Sequence, residues 1–151
     1  MPQSFAQIYI HIVFSTKHRQ PFFQDTEKFP NLYAFIAGLC NKRHCNAIQV
    51  GGYIDHVHIL CSLSRTKTVA DLVKDIKTIS TSWIQTNLSN AKTFHWQDGY
   101  GAFSVSQSQL EIVRKYILSQ KSHHEKQQFQ NEFRKLLIHY NIKFDERYVW
   151  D

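Results

Sequence analysis

Two histidines, His56 and His58, are separated by one residue in the stretch GGYIDHVHILC, which is otherwise typical of an apolar strand. Side chains at positions i and i+2 of a strand point to the same face, so the two imidazoles project together. Neutral imidazole nitrogens are frequent ligands of divalent metals. Two ligands are too few for a stable site, so the pattern indicates metal binding only if a third donor comes from elsewhere. Otherwise both are core or surface histidines with ordinary hydrogen bonds.

A second pair, Tyr116 and Gln120, lies four residues apart in VRKYILSQ, on a predicted helix. At about 3.6 residues per turn the two side chains lie on one face, one turn apart. They sit to one side of the apolar stripe formed by Leu110, Val113 and Ile117, and a plain core stripe would not contain them. Taken alone, Tyr116 is also consistent with an amphipathic boundary residue, and Gln120 with a solvated amide.

Alternating strands and helices must position these residues. The periodicity predicts strands over 7–15, 47–54, 56–63 and 101–106, and helices over about 25–43, 68–87, 108–120 and 122–140. Pro30 suits only a first helical turn, so the first helix is expected to begin near Phe29, and Thr68 is the expected N-cap of the second. Gly51 and Gly52 predict a bulge or bend. The tail IKFDERYVWD is mixed and could be extended.

The order β-α-β-β-α-β followed by helices predicts an α+β fold of the ferredoxin-like (split βαβ) type. We expect an antiparallel sheet with helices on one face, plus C-terminal helices. The other face would then be free for a ligand, a second subunit or nucleic acid. The length of 151 residues suits one domain over 1–151.

The net charge of +6 and a pI of about 9.3 favour a phosphate-bearing partner, either nucleic acid or an anionic surface. Candidate phosphate contacts, which are equally consistent with a solvated rim, are Lys17, Arg19, Arg65 and Lys67. No apolar run approaches the roughly 18 residues of a membrane span. Three cysteines without a CxxC pair predict a reduced, cytoplasmic setting with the cysteines in the core. His123 and His124 diverge on a helix and are expected at the surface or against DNA.

The ordered set of motifs resembles the small single-tyrosine HUH transposases of bacterial insertion sequences. His56-Val57-His58 matches the family's two histidines around a hydrophobic residue, within GGYIDHVHILCSL. YILSQ matches the tyrosine followed four residues later by a glutamine. GYGAFSVSQSQ, QKSHHEKQQFQNEF and FDERYVW also look like family stretches, and all occur in the family's order.

The resemblance implies that His56 and His58 bind a divalent metal, Mg²⁺ or Mn²⁺, with Gln120 as the third protein ligand. It implies that Tyr116 is the nucleophile, which forms a 5′-phosphotyrosine bond with DNA. The family acts as homodimers on single-stranded DNA with hairpins near the element ends. In a shared active site, Tyr116 of one chain would meet the histidines of the other.

Transposition is therefore the leading hypothesis, and three alternatives remain open. A host-retained relative would process dispersed repeat hairpins by the same chemistry. A non-catalytic nucleic-acid-binding module would bind without metal. A metal hydrolase would use water instead of Tyr116. The sequence identifies no certain general base for the tyrosine, because Lys115 projects about 100° away from Tyr116 around the helix.

Overall fold

The computed structural model describes residues 2–22, 26–89, 91–124 and 127–151. Its strands are β1 (Tyr9–Ser15), β2 (Ala47–Tyr53), β3 (His56–Ser62) and β4 (Gly101–Val105). Its α-helices are α1 (Phe29–Lys42), α2 (Val69–Asn87), α3 (Leu110–Leu118), α4 (Gln120–His124) and α5 (Phe129–His139). The strands form one sheet in the order β2-β3-β1-β4, with every neighbouring pair antiparallel. This confirms the ferredoxin-like α+β fold.

Helices α1 and α2 cover one face of the sheet. Ile10, Ile12 and Phe14 alternate along β1 and point into this layer, which contains the larger part of the core. The hydroxyl of Thr68 accepts a 3.1 Å hydrogen bond from the backbone N–H of Asp71, as expected for the N-cap of α2. Helices α1 and α2 therefore pack their apolar stripes against this face of the sheet.

The C-terminal helices cover the opposite face, which the sequence was expected to leave free. Leu60 and Val105 pack there with Ile117 of α3. A neighbouring cluster joins residues of β1 and β4 to α5, namely Val13, Phe103, Phe129, Phe133 and Leu137. The expectation of a free face was wrong because the second face of these strands also carries large apolar side chains, which need cover from water.

The predicted single helix over 122–140 is wrong. Helix α4 ends at His124, Gln128 has an extended backbone (φ −73°, ψ 153°), and α5 begins at Phe129. Helix α3 likewise ends at Leu118, so Gln120 begins α4 instead of continuing α3. Helix α1 begins at Phe29, as Pro30 predicts, while the predicted start at residue 25 lies outside the described residues.

The tail forms turns over 146–150, after residues 142–145 that belong to no helix or strand. Its Val149 and Trp150 pack against the α5 cluster, and the carbonyl of Asp151 accepts a 2.8 Å hydrogen bond from the N–H of Gly99. The tail thereby ties α5 to the loop before β4.

Gly51 allows α3 to approach the sheet closely. A Cβ at this position would lie 2.8 Å from Cγ2 of Ile117 and 3.0 Å from its carbonyl oxygen. The irregular register of β2 lies between Ala47 and Gln49, so the bulge expected at Gly51 and Gly52 is wrong. The glycine is needed for helix–sheet contact, and this contact brings α3 over the histidines of β3.

All three cysteines are buried with free thiols, as the core interpretation predicts. Within the described part of the chain, no helix combines the length and the apolar character that crossing a membrane requires.

Candidate active site

The histidine pair lies on the C-terminal-helix side of β3. His56 and His58 are both fully buried, and their ring centroids are 5.1 Å apart. Strand alternation places them on one face, as the sequence predicts. Two predicted partners, Gln120 and Tyr116, lie next to them, so the structure brings together the four residues that the sequence singled out.

Gln120 points its amide oxygen at the histidines. Its Nε2 donates to the carbonyl of Tyr116 at 3.4 Å, and this bond turns Oε1 toward Nε2 of His56, 2.9 Å away. Gln120 is 1% exposed, which excludes the solvated amide interpretation. The break at Ser119 between α3 and α4 still leaves Gln120 one turn from Tyr116.

Asp55 orients the first histidine. Its carboxylate accepts a 2.7 Å hydrogen bond from Nδ1 of His56. In a neutral imidazole this leaves Nε2 without a proton, facing the amide oxygen of Gln120, which is also an acceptor. The unprotonated Nε2 and the amide oxygen, 2.9 Å apart, are both lone-pair donors of the kind that bind a metal ion. A carboxylate behind a histidine is the usual outer partner of a metal-binding imidazole.

Glu132, which the sequence analysis did not single out, completes the cluster from α5. Its Oε1 accepts a 3.0 Å hydrogen bond from Nε2 of His58 and lies 3.6 Å from Nε2 of His56. The ligand atoms of these three buried residues all lie within 4.8 Å of one another, so they could hold a metal ion. A signal was present in the sequence, because Glu132 is an acidic residue between Phe129 and Phe133 in an apolar stripe.

His124 also belongs to the cluster, and its expected place at the surface was wrong. Its Nε2 lies 3.1 Å from Oε1 of Gln120 and 3.2 Å from Oε1 of Glu132, and its side chain is only 4% exposed. Its ring stacks on Tyr53 at a centroid distance of 5.8 Å. The side chain of His123 lies outside what the structure describes.

The donor set fits a divalent cation. Ligands about 2.1 Å from an octahedral ion stand about 3.0 Å from each other in cis positions. Three of the pairs described here approach that spacing: His56–Gln120 at 2.9 Å, His58–Glu132 at 3.0 Å, and His56–Glu132 at 3.6 Å. Mixed nitrogen and oxygen ligands suit Mn²⁺ better than Mg²⁺, which prefers oxygen.

Burial and charge alter the acid–base behaviour of the cluster. Burial raises the pKa of Glu132, but hydrogen bonds from His124 and His58 outweigh it and hold that pKa well below its usual range. Burial lowers the pKa of His58, against the opposing effect of Glu132. Burial, with the neighbouring His58, also lowers the pKa of His11 to about 3. His11 donates from Nε2 to Nδ1 of His58 at 2.8 Å when His58 carries its proton toward Glu132.

Tyr116 lies beside the histidines of its own chain. Its hydroxyl donates a short hydrogen bond to Oε2 of Glu132, and its ring meets the ring of His58 edge-on at 5.7 Å. Burial and the Glu132 charge raise the pKa of Tyr116. Tyr116 also lines a groove of about 660 Å³ between α3, β4 and α5, from which a ligand can reach the phenol.

The four basic candidates divide between the two ends of the sheet. Lys17 and Arg19 follow the end of β1 that lies beside the hairpin turn, where Arg19 lines a cleft of about 320 Å³ with Asp55 and His124. Arg65 and Lys67 follow the far end of β3, six residues and about 20 Å beyond His56. Arg65 is exposed, whereas Lys67 pairs with Asp75 at 3.0 Å.

A ferredoxin-like sheet with a buried His-x-His strand and a tyrosine on a covering helix defines the class of HUH proteins with a single tyrosine. The model of the family described as "Transposase IS200 like" matches residues 4–120. The chain therefore belongs to the IS200-like transposase family, which confirms the resemblance seen in the motifs. The matched range includes Tyr116 and Gln120, whereas Glu132 lies beyond it.

Two solved structures share the fold. A protein of Deinococcus radiodurans R1 that has been described as a transposase has a TM-score of 0.61 and 18% identity, and the alignment covers 80% of this chain and 95% of that one. A REP-associated tyrosine transposase bound to a REP hairpin has a TM-score of 0.58 and 13% identity, with 82% and 73% covered. No curated protein matches the chain.

Proposed function

We propose that the protein is a DNA transposase that cleaves and rejoins single-stranded DNA by metal-dependent transesterification. The observation that carries the proposal is the shared carboxylate of Glu132, which accepts hydrogen bonds from both Tyr116 and His58. This carboxylate joins the proposed nucleophile to the proposed metal ligands in a single buried cluster. Membership of the IS200-like family supports the same activity.

His56, His58 and Gln120 would hold Mg²⁺ or Mn²⁺, and Glu132 would add a carboxylate ligand. When bound, the ion would polarise the scissile phosphate and offset the charge that develops on it. Asp55 keeps Nε2 of His56 turned toward the ion position. For His58 to bind the ion through Nε2, its proton would move to Nδ1 and be donated to Nε2 of His11, 2.8 Å away. These second contacts restrict both rings to orientations that suit metal binding.

Tyr116 would attack the phosphodiester, forming a 5′-phosphotyrosine bond and freeing a 3′-hydroxyl. The bond to tyrosine conserves the energy of the phosphodiester, so a later 3′-hydroxyl can reverse the step and join a new strand. A water nucleophile would lose this energy, which is why a strand-joining enzyme gains from a tyrosine.

The substrate is proposed to be single-stranded DNA with hairpins at the element ends, bound by one domain over residues 1–151 that assembles as a homodimer. The contacts of Tyr116 with Glu132 and His58 of its own chain support a site within one chain, and a site shared between two chains is the alternative. Lys17 and Arg19, at the end of the sheet next to the site, are the preferred phosphate contacts. Arg65 and Lys67 would reach a more distant part of the DNA.

A second candidate function is the processing of dispersed repeat hairpins by a host-retained copy. The observation that favours it is the fold shared with a transposase bound to a REP hairpin. Both functions use the same chemistry, and they differ only in the DNA that is cut.

A denaturing gel tests the proposal. The protein is mixed with Mn²⁺ or Mg²⁺ and labelled single-stranded DNA from the flanks of its own gene. We expect a covalent protein–DNA adduct that disappears with EDTA, with Tyr116→Phe and with His56→Ala. Cleavage that survives Tyr116→Phe would instead mean that water is the nucleophile, and binding without any adduct would indicate a non-catalytic DNA-binding module.

A further inference from the structure

We propose that Glu132 is the general base that takes the proton from Tyr116 during DNA cleavage. The inference rests on the proposed function and adds a catalytic residue to it. Glu132 lies twelve positions beyond the residues matched by the family model, and no feature of the His-x-His or Tyr-x₃-Gln motifs points to it.

The geometry separates the two oxygens of this carboxylate. Oε1 lies at 3.0 Å from Nε2 of His58 and 3.2 Å from Nε2 of His124, so it faces the ligand cluster. Oε2 accepts the hydrogen bond of the Tyr116 hydroxyl. A general base must be within hydrogen-bond reach of the proton that it removes, and Glu132 meets this requirement in the resting chain.

The surroundings hold the carboxylate in place. Glu132 is 4% exposed, and it projects from α5 between Phe129 and Phe133, which pack against the sheet. A buried acidic residue needs partners on both oxygens, and His58, His124 and Tyr116 supply them. In the resting chain the hydroxyl of Tyr116 donates to Oε2 of Glu132, so the proton lies on the phenol and points at the carboxylate. Transfer would then accompany attack on phosphorus instead of preceding it.

The proposed cleavage step exchanges one bond to phosphorus for another. The O–H bond of Tyr116 breaks and its proton moves to Oε2 of Glu132, while the phenolic oxygen forms a bond to phosphorus. The bond between phosphorus and O3′ breaks, its electron pair stays on O3′, and water protonates this oxygen to give the 3′-hydroxyl. In the joining step a 3′-hydroxyl loses its proton to water as its oxygen bonds to phosphorus. The bond between phosphorus and the Tyr116 oxygen breaks, and the departing phenolate recovers its proton from Glu132.

Single-turnover adduct formation at saturating Mn²⁺ tests the inference, with Glu132→Gln as the main variant. We expect its rate to fall by about 10²–10⁴-fold, the usual contribution of a general base. Its affinity for single-stranded DNA, measured by fluorescence anisotropy, should stay within about threefold of wild type, since Glu132 is buried. Glu111→Gln is the matched control, because this exposed glutamate of α3 pairs with Arg114 and should react at the wild-type rate.

Replacing Tyr116 with a fluorinated tyrosine shows whether Glu132 acts as a general base or only binds the metal and supports the site. A more acidic phenol depends less on a general base, so in Glu132→Gln fluorination should raise the rate of adduct formation at least tenfold. In the wild type the increase should be much smaller. Metal affinity is measured in parallel by calorimetry. Glu132→Asp, which keeps a carboxylate, should retain an intermediate rate and serves if the glutamine variant does not fold.

Three outcomes would overturn the inference: a wild-type rate in Glu132→Gln, a deficit that fluorination leaves unchanged, or a deficit that excess Mn²⁺ removes. In each case the wild-type adduct through Tyr116 would still stand, so the proposed function survives. If the wild type itself forms no Tyr116-dependent adduct, the proposed function fails and the role of Glu132 fails with it.

Discussion

The carboxylate of Asp55 and the imidazole of His56, neighbours in the chain, share a 2.7 Å hydrogen bond that leaves Nε2 of His56 facing the ligand cluster. The hairpin turn at Ile54 and Asp55 makes this contact possible, because it places the carboxylate beside the first residue of β3. A ligand of the site is thus oriented by the turn that begins its strand.

Removing this support should weaken metal binding. We expect Asp55→Ala to lower the affinity for Mn²⁺ by about 10–100-fold, as loss of an outer partner of a ligating histidine usually does. Calorimetric titration of the metal-free protein measures the change. Asp98→Ala, at an exposed aspartate that pairs with Lys17, is the control and should bind Mn²⁺ like the wild type. Equal affinities in all three proteins would contradict a metal-orienting role for Asp55.

Gly51 should be sensitive to a single added methyl group. In Gly51→Ala the new Cβ would meet Ile117 at 2.8 Å, so α3 must move away from the sheet and carry Tyr116 from Glu132. We expect a loss of about 1–3 kcal/mol in the free energy of unfolding and a lower adduct rate in the fraction that stays folded. Urea denaturation and the adduct assay measure the two effects.

Gly38→Ala is the matched control for this change. Gly38 lies inside α1, and an added Cβ would meet no atom within 4 Å. Alanine is favoured over glycine in a helix, so this variant should gain about 0.5–1 kcal/mol and keep the wild-type adduct rate. If both alanine variants behaved alike, the close approach of α3 would not explain why residue 51 is a glycine.

His11 should contribute to acid sensitivity. Its pKa of about 3 in the folded chain lies below the ordinary value of 6.5, because burial and His58 disfavour its charged form. The unfolded chain therefore binds more protons between these two values, and stability is lost as pH falls from about 6.5 toward 3. One such proton gives a slope of about 1.4 kcal/mol per pH unit.

Urea denaturation in EDTA at a series of pH values measures this slope. We expect His11→Gln to lose stability less steeply with falling pH, with the remaining slope coming from His58 and other groups. His44→Gln, at an exposed histidine after α1, should keep the wild-type slope. A slope unchanged in His11→Gln would mean that the pKa of His11 is the same in the folded and unfolded chains, and that burial does not lower it.

A mixing experiment distinguishes a site within one chain from a site shared between two. Tyr116 contacts Glu132 and His58 of its own chain here, so Tyr116→Phe mixed with His56→Ala should form no adduct, even when both are bound to DNA. A shared site would restore adduct formation to the His56→Ala chain, because its tyrosine would meet intact histidines of the partner. Chains of different mass reveal on a gel which one carries the DNA.

The salt dependence of DNA binding should separate the two basic pairs. Arg19 lines the cleft beside the cluster, and we expect Arg19→Gln to reduce the slope of log affinity against log salt by about 0.7, one phosphate contact to a single strand. Lys67 is neutralised by Asp75, so Lys67→Gln should change the slope less. Fluorescence anisotropy at several salt concentrations provides both slopes, and a larger effect at Lys67 would reverse the proposed path of the DNA.

Local patterns predicted much of the fold. The alternation in β1 and β3, the cap at Thr68 and the limit set by Pro30 act between close neighbours, so the sequence alone places them. The break between α4 and α5 was missed because QKSHHEKQQFQNEF has no proline or glycine to mark it. Extended Gln128 is instead a consequence of packing Phe129 and Phe133 onto the sheet.

In the site, too, the sequence predicted the pairs of residues that are close in the chain, and it missed a contact between residues that are far apart. His56 and His58 share a face because of strand geometry, and Tyr116 precedes Gln120 by one turn, so these pairs follow from the sequence. Glu132 meets His58 across 74 residues, and that contact exists only because α5 packs on the second face of the sheet. Short-range backbone geometry determined which side chains project together. Only burial of the C-terminal helices, driven by apolar residues far apart in the chain, decided that a carboxylate would stand between the tyrosine and the histidines.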